Sequence, residues 1–109
     1  MASLGDWILH VTGEVVAIDR EDLDTSGRHP KYMLTFRIRP SAVEAPAEAT
    51  VPDEIPVRIK DLELARKTST PPAVGDRVVV TARASGPRPQ TFYLATVGPA
   101  PAPAPAPAP

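Results

Sequence analysis

Two histidines are the only imidazoles in the chain, and neither has a chemical partner nearby in sequence. His10 alternates within an apolar segment and His29 sits in a polar stretch. No cysteine is present, so thiolate-bound zinc and disulfides are excluded. Neither a serine elbow nor a glycine-rich phosphate loop is found. Nucleophile, base and orienting group are therefore not assembled, and the chain reads as non-catalytic, with no cofactor. Asp19, Glu21, Asp22 and Asp24 are hard oxygen donors that suit a divalent cation. They lack the spacing and the glycine of a calcium loop, so they read as a solvated acidic stretch and no metal is expected. The chemistry left is anion recognition. Lys31, Arg37, Arg39, Arg58 and Lys60 fall on the polar phase of alternating segments, and Arg83 and Arg88 follow later. A row of cations along a strand can track a phosphate backbone, with an affinity that falls as salt rises. The plainer reading is an ordinary solvated strand face.

Aromatic residues are scarce: Trp7, Tyr32, Phe36, Phe92 and Tyr93. Tyr32 and Phe36 share a phase with Leu34 and Ile38, which assigns them to a core. Phe92 and Tyr93 are neighbours and must point to opposite sides of a strand. Phe92 is in phase with Leu94, which leaves Tyr93 outward, either as a base-stacking platform or as an edge-packing tyrosine. Trp7 either closes one end of the fold or lies exposed at a surface.

The elements that must position these side chains are short alternating segments separated by Gly, Pro and Asp. A long first strand, Trp7 to Ile18, is interrupted by Gly13, which marks a bulge or bend. Glu21 to Pro30 reads as a hairpin loop centred on Thr25, Ser26 and Gly27. The second strand runs from Lys31 to Arg39 and should stop at Pro40, which cannot donate to a ladder. After a loop over Ser41 to Asp53 comes a third strand, Glu54 to Lys60, in which Pro56 suggests an edge or a break in pairing. Asp61 to Lys67 reads as a short helix, with Asp61 able to cap its start and Arg66 and Lys67 favouring its end. The fourth and fifth strands are Asp76 to Ala84 and Thr91 to Val97, joined by a Gly/Pro turn.

With 109 residues and a low-complexity end, the chain has room for one domain and one modest core. Residues 1–98 form that domain, and the Pro-Ala alternation of residues 99–109 reads as a disordered, extended spacer outside it. No apolar run approaches the roughly 20 residues needed to span a membrane, and no secretory leader is read. A cytoplasmic protein with no membrane partner is expected. Net charge is −1, but it is unevenly spread. Six acids and two bases lie in residues 1–30, whereas five bases and four acids lie in residues 31–60. A local basic face is compatible with that total.

Strand, strand, strand, short helix, strand, strand is an all-β order. With Val11-Thr-Gly-Glu-Val15, Tyr32-Met-Leu-Thr-Phe-Arg-Ile38 and Val74-Gly-Asp-Arg-Val-Val-Val80, the chain resembles the OB-fold family over about residues 7–97. That family is built on a five-stranded Greek-key barrel with a short helix between strands three and four. Within it the chain is most similar to bacterial or phage single-stranded-DNA-binding proteins and their small accessory relatives. The resemblance implies a ligand across the outer face of strands two and three, bordered by the first-second and fourth-fifth loops. The implied site is Lys31, Arg37, Arg39, Arg58 and Lys60, supplemented by Arg83, Arg88 and Tyr93. The implied partner is single-stranded nucleic acid, with DNA the favoured form, in replication or repair. Two departures stand out: strands two and three carry no outward tryptophan or phenylalanine, and the acidic partner-recruiting tail of that family is replaced by Pro-Ala. The competing expectation is a protein-interaction or assembly module of a larger complex. A homo-oligomer suits either reading, because open strand edges associate. A small β-barrel binding an acidic sugar is a third option, since one fold hosts many functions.

Overall fold

The computed structural model describes residues 4–24 and 31–100. Five strands and one helix follow one another: β1 (Asp6–Asp24), β2 (Lys31–Glu44), β3 (Ile55–Lys60), α1 (Asp61–Lys67), β4 (Arg77–Ser85) and β5 (Phe92–Pro99). The strands form one closed sheet in the order β1-β2-β3-β5-β4, and β4 pairs back onto β1. Every pairing is antiparallel except β3 with β5, which are parallel. Among the described residues no helix is long and apolar enough to cross a membrane.

Alternation decides which side chains enter the sheet. Trp7, Leu9, Val11 and Val15 of β1 point inward beside Phe36 and Ile38 of β2 and Ile55, Val57 and Ile59 of β3. Val78, Val80, Ala82 and Ala84 of β4, with Phe92 and Leu94 of β5, complete the strand contribution, and Leu64 of α1 joins the same cluster. No polar side chain is buried among the described residues. The Trp7 ring meets Phe92 edge-on, with centroids 6.4 Å apart, and its Nε1 donates to the Gly86 carbonyl at 2.9 Å. Trp7 thus fills one end of the core while its single polar group is satisfied.

The bulge or bend expected at Gly13 is present as a register shift, and the glycine is required by contact. A Cβ at Gly13 would lie 2.3 Å from the Arg39 carbonyl oxygen, so only glycine lets β1 and β2 approach there. A register shift sits beside it, and a second one between Val15 and Ala17 reverses the inward phase, so Ile18 rather than Ala17 packs against the core. The backbone at this second shift is tied to the start of β4. Val15 N–H donates to Asp76 O at 2.9 Å, and Gly75 N–H donates to Val15 O at 2.7 Å. Gly75 has φ of +96°, which explains the glycine in Val74-Gly75-Asp76.

Four expectations about element ends are corrected. β2 does not stop at Pro40 but continues to Glu44. Pro40 lies opposite Gly13, where the register shifts and a ladder bond is already lost, so its missing N–H costs little there. β1 continues to Asp24, into the segment expected to be loop, because the first residues of β2 extend its ladder. The turn residues Thr25, Ser26 and Gly27 lie outside the described residues. β3 is not an edge: it pairs with β2 along its length and with β5 at Val57 and Arg58. β5 runs past the end expected at Val97 to Pro99, and Ala100 N–H donates to Arg77 O at 3.0 Å. The remainder of the Pro-Ala segment, residues 101–109, lies outside the described residues.

Two side chains also depart from expectation. Asp61 is the first helical residue rather than the cap; Lys60 holds the cap position without a side-chain bond. The Asp61 Oδ1 accepts the Leu62 N–H at 2.8 Å instead. Tyr32 is half-buried and absent from the core cluster, and the Arg20 guanidinium stands 4.4 Å from its ring centroid. The reason is length: β3 ends opposite Met33, so Tyr32 lies on a two-stranded extension of β1 and β2 with no neighbouring strand to cover it.

Candidate functional site

The registers align five outward residues in one row across the sheet. Thr35 of β2 pairs with Arg58 of β3, Arg58 with Tyr93 of β5, Tyr93 with Arg83 of β4, and Arg83 with Ile8 of β1. Lys60 stands one step along β3, two residues from Arg58 and on the same side, opposite Met33. The β3–β5 contact spans only two residue pairs, so the sheet opens beside Arg58 and Tyr93. Into that opening comes the end of α1, where Lys67 Nζ donates to the Ala95 carbonyl of β5 at 2.8 Å.

A concavity of about 420 Å³ results, lined by Met33, Arg58, Lys60, Glu63, Lys67, Arg83 and Tyr93 among others. Four cations face one carboxylate there. A second concavity of about 500 Å³ adjoins it, sharing Arg83 and Tyr93 and extending over Ile8 to the turn before β5. Tyr93 is 51% exposed and forms the ridge between the two. Both volumes lie in the range of about 300–1,000 Å³ usual for ligand sites.

Of the residues singled out from the sequence, Arg58, Lys60, Arg83 and Tyr93 come together. Arg37, Arg39, Lys31 and Arg88 do not line either concavity. Arg37 lies on the same outer face, but its Nε donates to Asp19 Oδ2 at 2.7 Å and its Nη1 stands 3.9 Å from Glu54. Arg39 is placed opposite Glu14 of β1, and Lys31 opposite Asp24 beyond the end of β3. Arg88 is exposed in the turn between β4 and β5. Arg58 has its own acidic neighbour, Glu21, at 3.6 Å. The acidic stretch of β1 thus runs beside β2, reaches β3 through Glu21, and offsets part of the basic face.

Lys67 and Glu63 were not singled out for the site. Their spacing of four residues puts them on one side of α1, flanking the face that buries Leu64. Helical periodicity reveals that shared side, but not which strand it overlooks. Comparison with protein-family models, curated proteins and solved structures found no match for this chain.

Proposed function

We propose that the chain is an OB-type Greek-key barrel that binds single-stranded nucleic acid, DNA in the first instance, without acting on it chemically. Support for the topology is the strand order β1-β2-β3-β5-β4 with a parallel β3–β5 join and a helix between β3 and β4. The observation that carries the function is the convergence of an exposed tyrosine with Arg58, Lys60, Lys67 and Arg83 on one open groove. Phosphates neutralise the cations, and a base stacks on the Tyr93 ring, which every base can do whatever its sequence. The binding residues are therefore Arg58, Lys60, Lys67, Arg83 and Tyr93. Lys31, Arg37, Arg39 and Arg88 contribute only to the field around them.

The test is titration of the full chain with a labelled single-stranded oligonucleotide at several salt concentrations. Binding that weakens with salt, with a log–log slope of about −0.7 per phosphate neutralised, supports the reading. Tyr93→Ala should lower affinity by about 1–3 kcal/mol at unchanged slope. No binding at low salt would remove the proposal.

A second reading, an assembly module, has one observation in its favour. On the outer face of β1, β4 and β5, His10 pairs with Thr81 and Thr81 with Thr96, while Thr12 pairs with Val79 and Val79 with Gly98. This patch carries no formal charge with histidine neutral, and Val79 is exposed on it. Light scattering combined with the same titration separates self-association from oligonucleotide binding.

A further inference from the structure

The two concavities that meet at Tyr93 differ in chemistry, and the difference assigns them different parts of one ligand. On the α1 side, Arg58, Lys60 and Lys67 surround the opening against the single carboxylate of Glu63. On the β1 side, the charged lining residues are Asp6 and Arg83, and the walls include Ile8, Pro89 and Gln90. Asp6 accepts a hydrogen bond from Ser85 Oγ at that rim, which holds a carboxylate beside the opening. A phosphate placed there would meet a fixed negative charge. A flat, uncharged ring would meet apolar walls, an exposed tyrosine and an amide able both to donate and to accept.

Resting on the single-strand reading above, we infer that the concavity over Ile8 is a slot for one unstacked nucleobase. The adjoining phosphates pass Arg83 toward Arg58, Lys60 and Lys67. Ile8 is 43% exposed and, with Tyr93, offers two apolar surfaces on either side of Arg83 in the same outer row. Burying such surface against a base is favourable, whereas a phosphate there would meet Asp6 and gain only Arg83 in return. Gln90 at the slot supplies hydrogen-bonding groups of both signs, so an amide contact to the base edge replaces water there. The ligand crosses β3, β5, β4 and β1, rather than following the β2–β3 face whose Arg37 is engaged by Asp19.

The experiment compares two ligands of equal charge: oligothymidylate of about 12 nucleotides and an abasic deoxyribose-phosphate oligomer of the same length. Each is titrated into the full chain while the fluorescence of Trp7, the single tryptophan and a lining residue of the slot, is followed. Anisotropy of a labelled oligomer gives the affinity in parallel. Oligothymidylate should bind about 5- to 150-fold tighter than the abasic oligomer and should alone change the Trp7 signal. Ile8→Ser and Gln90→Ala should shrink that ratio toward one while leaving abasic binding unchanged. Lys60→Gln with Lys67→Gln should weaken both oligomers by the same factor. Equal wild-type affinity for the two oligomers, or a ratio untouched by Ile8→Ser, overturns the slot while leaving a phosphate groove intact. Failure of both oligomers to bind overturns the single-strand reading and the slot with it. Should Ile8→Ser not fold, the Gln90→Ala ratio decides, because Gln90 is exposed and stacking on Tyr93 alone would leave that ratio unchanged.

Discussion

Glu21 stands 3.6 Å from Arg58, one of the cations lining the groove, and Asp19 accepts from Arg37 at 2.7 Å on the same face. Both carboxylates are exposed and both guanidinium groups half-buried at the surface, so these are screened pairs worth roughly 0.2–1 kcal/mol each. Their effect on binding has a definite sign, because a polyanion must displace Glu21 from Arg58 and is repelled by Asp19 beside the groove. Asp19→Asn with Glu21→Gln should tighten oligonucleotide binding by about 1.5- to 5-fold, mainly through Glu21, measured by anisotropy at low salt. Thermal stability should move by less than about 1 kcal/mol per pair, since only surface pairs are lost. Looser binding in that double variant would show that the carboxylates position the guanidinium groups for the ligand rather than compete with it. Arg39 and Arg88 lie outside the groove, so replacing either with Gln should change affinity only weakly. Arg83→Gln, at the junction of the two concavities, should cost roughly 1.5–3 kcal/mol, the worth of a hydrogen bond to a charged group.

β1 is the element on which the groove depends, since it pairs with both β2 and β4 and carries Ile8 and Glu21 at its two ends. It performs both tasks through its two irregularities, at Gly13 and at the shift between Val15 and Ala17. Gly13→Ala inserts a methyl group against the Arg39 carbonyl and the Pro40 backbone, neither of which can rotate away. The expected cost is about 1–3 kcal/mol, as for overpacking elsewhere in a core. In a thermal melt that corresponds to a fall of roughly 4–8 °C for each kcal/mol in a domain of this size. An unchanged melting temperature would mean that β1 and β2 can separate at the bend without loss. β3 and α1 act as a second unit: the helix follows β3 directly, so Arg58, Lys60 and Lys67 come to one opening although their roles in sequence differ.

The whole molecule is closed by its weakest seam, the parallel β3–β5 join, and the groove opens beside that seam. Antiparallel pairing elsewhere is long, so the sheet stays closed while this one edge remains short. The core is complete among residues 7–94, and the ladder ends at Pro99. Removing residues 101–109 should therefore leave both the melting temperature and the oligonucleotide affinity unchanged. A drop in either after that deletion would assign the Pro-Ala segment a contact with the domain.

Alternation in the chain was enough to identify an all-β domain, the position of the helix and nearly all inward residues, because burial on one face of a strand leaves a period of two. Gly13 was legible as a bend for the same reason: glycine in a strand has few other uses. Tyr93 was legible as outward from its neighbour Phe92. Strand ends were less legible, since Pro40 and Glu21 to Asp24 join ladders only because a partner strand happens to run alongside them. The site was only half legible. Arg37, Arg39, Arg58 and Lys60 have the same local pattern, yet Arg58 and Lys60 line the groove while Arg37 and Arg39 do not. Period-two spacing states which side a residue faces, but not which neighbour it meets there. That was decided by the strand order, which sets Tyr93 between Arg58 and Arg83, brings Lys67 over β5, and lays the acids of β1 against Arg37 and Arg58.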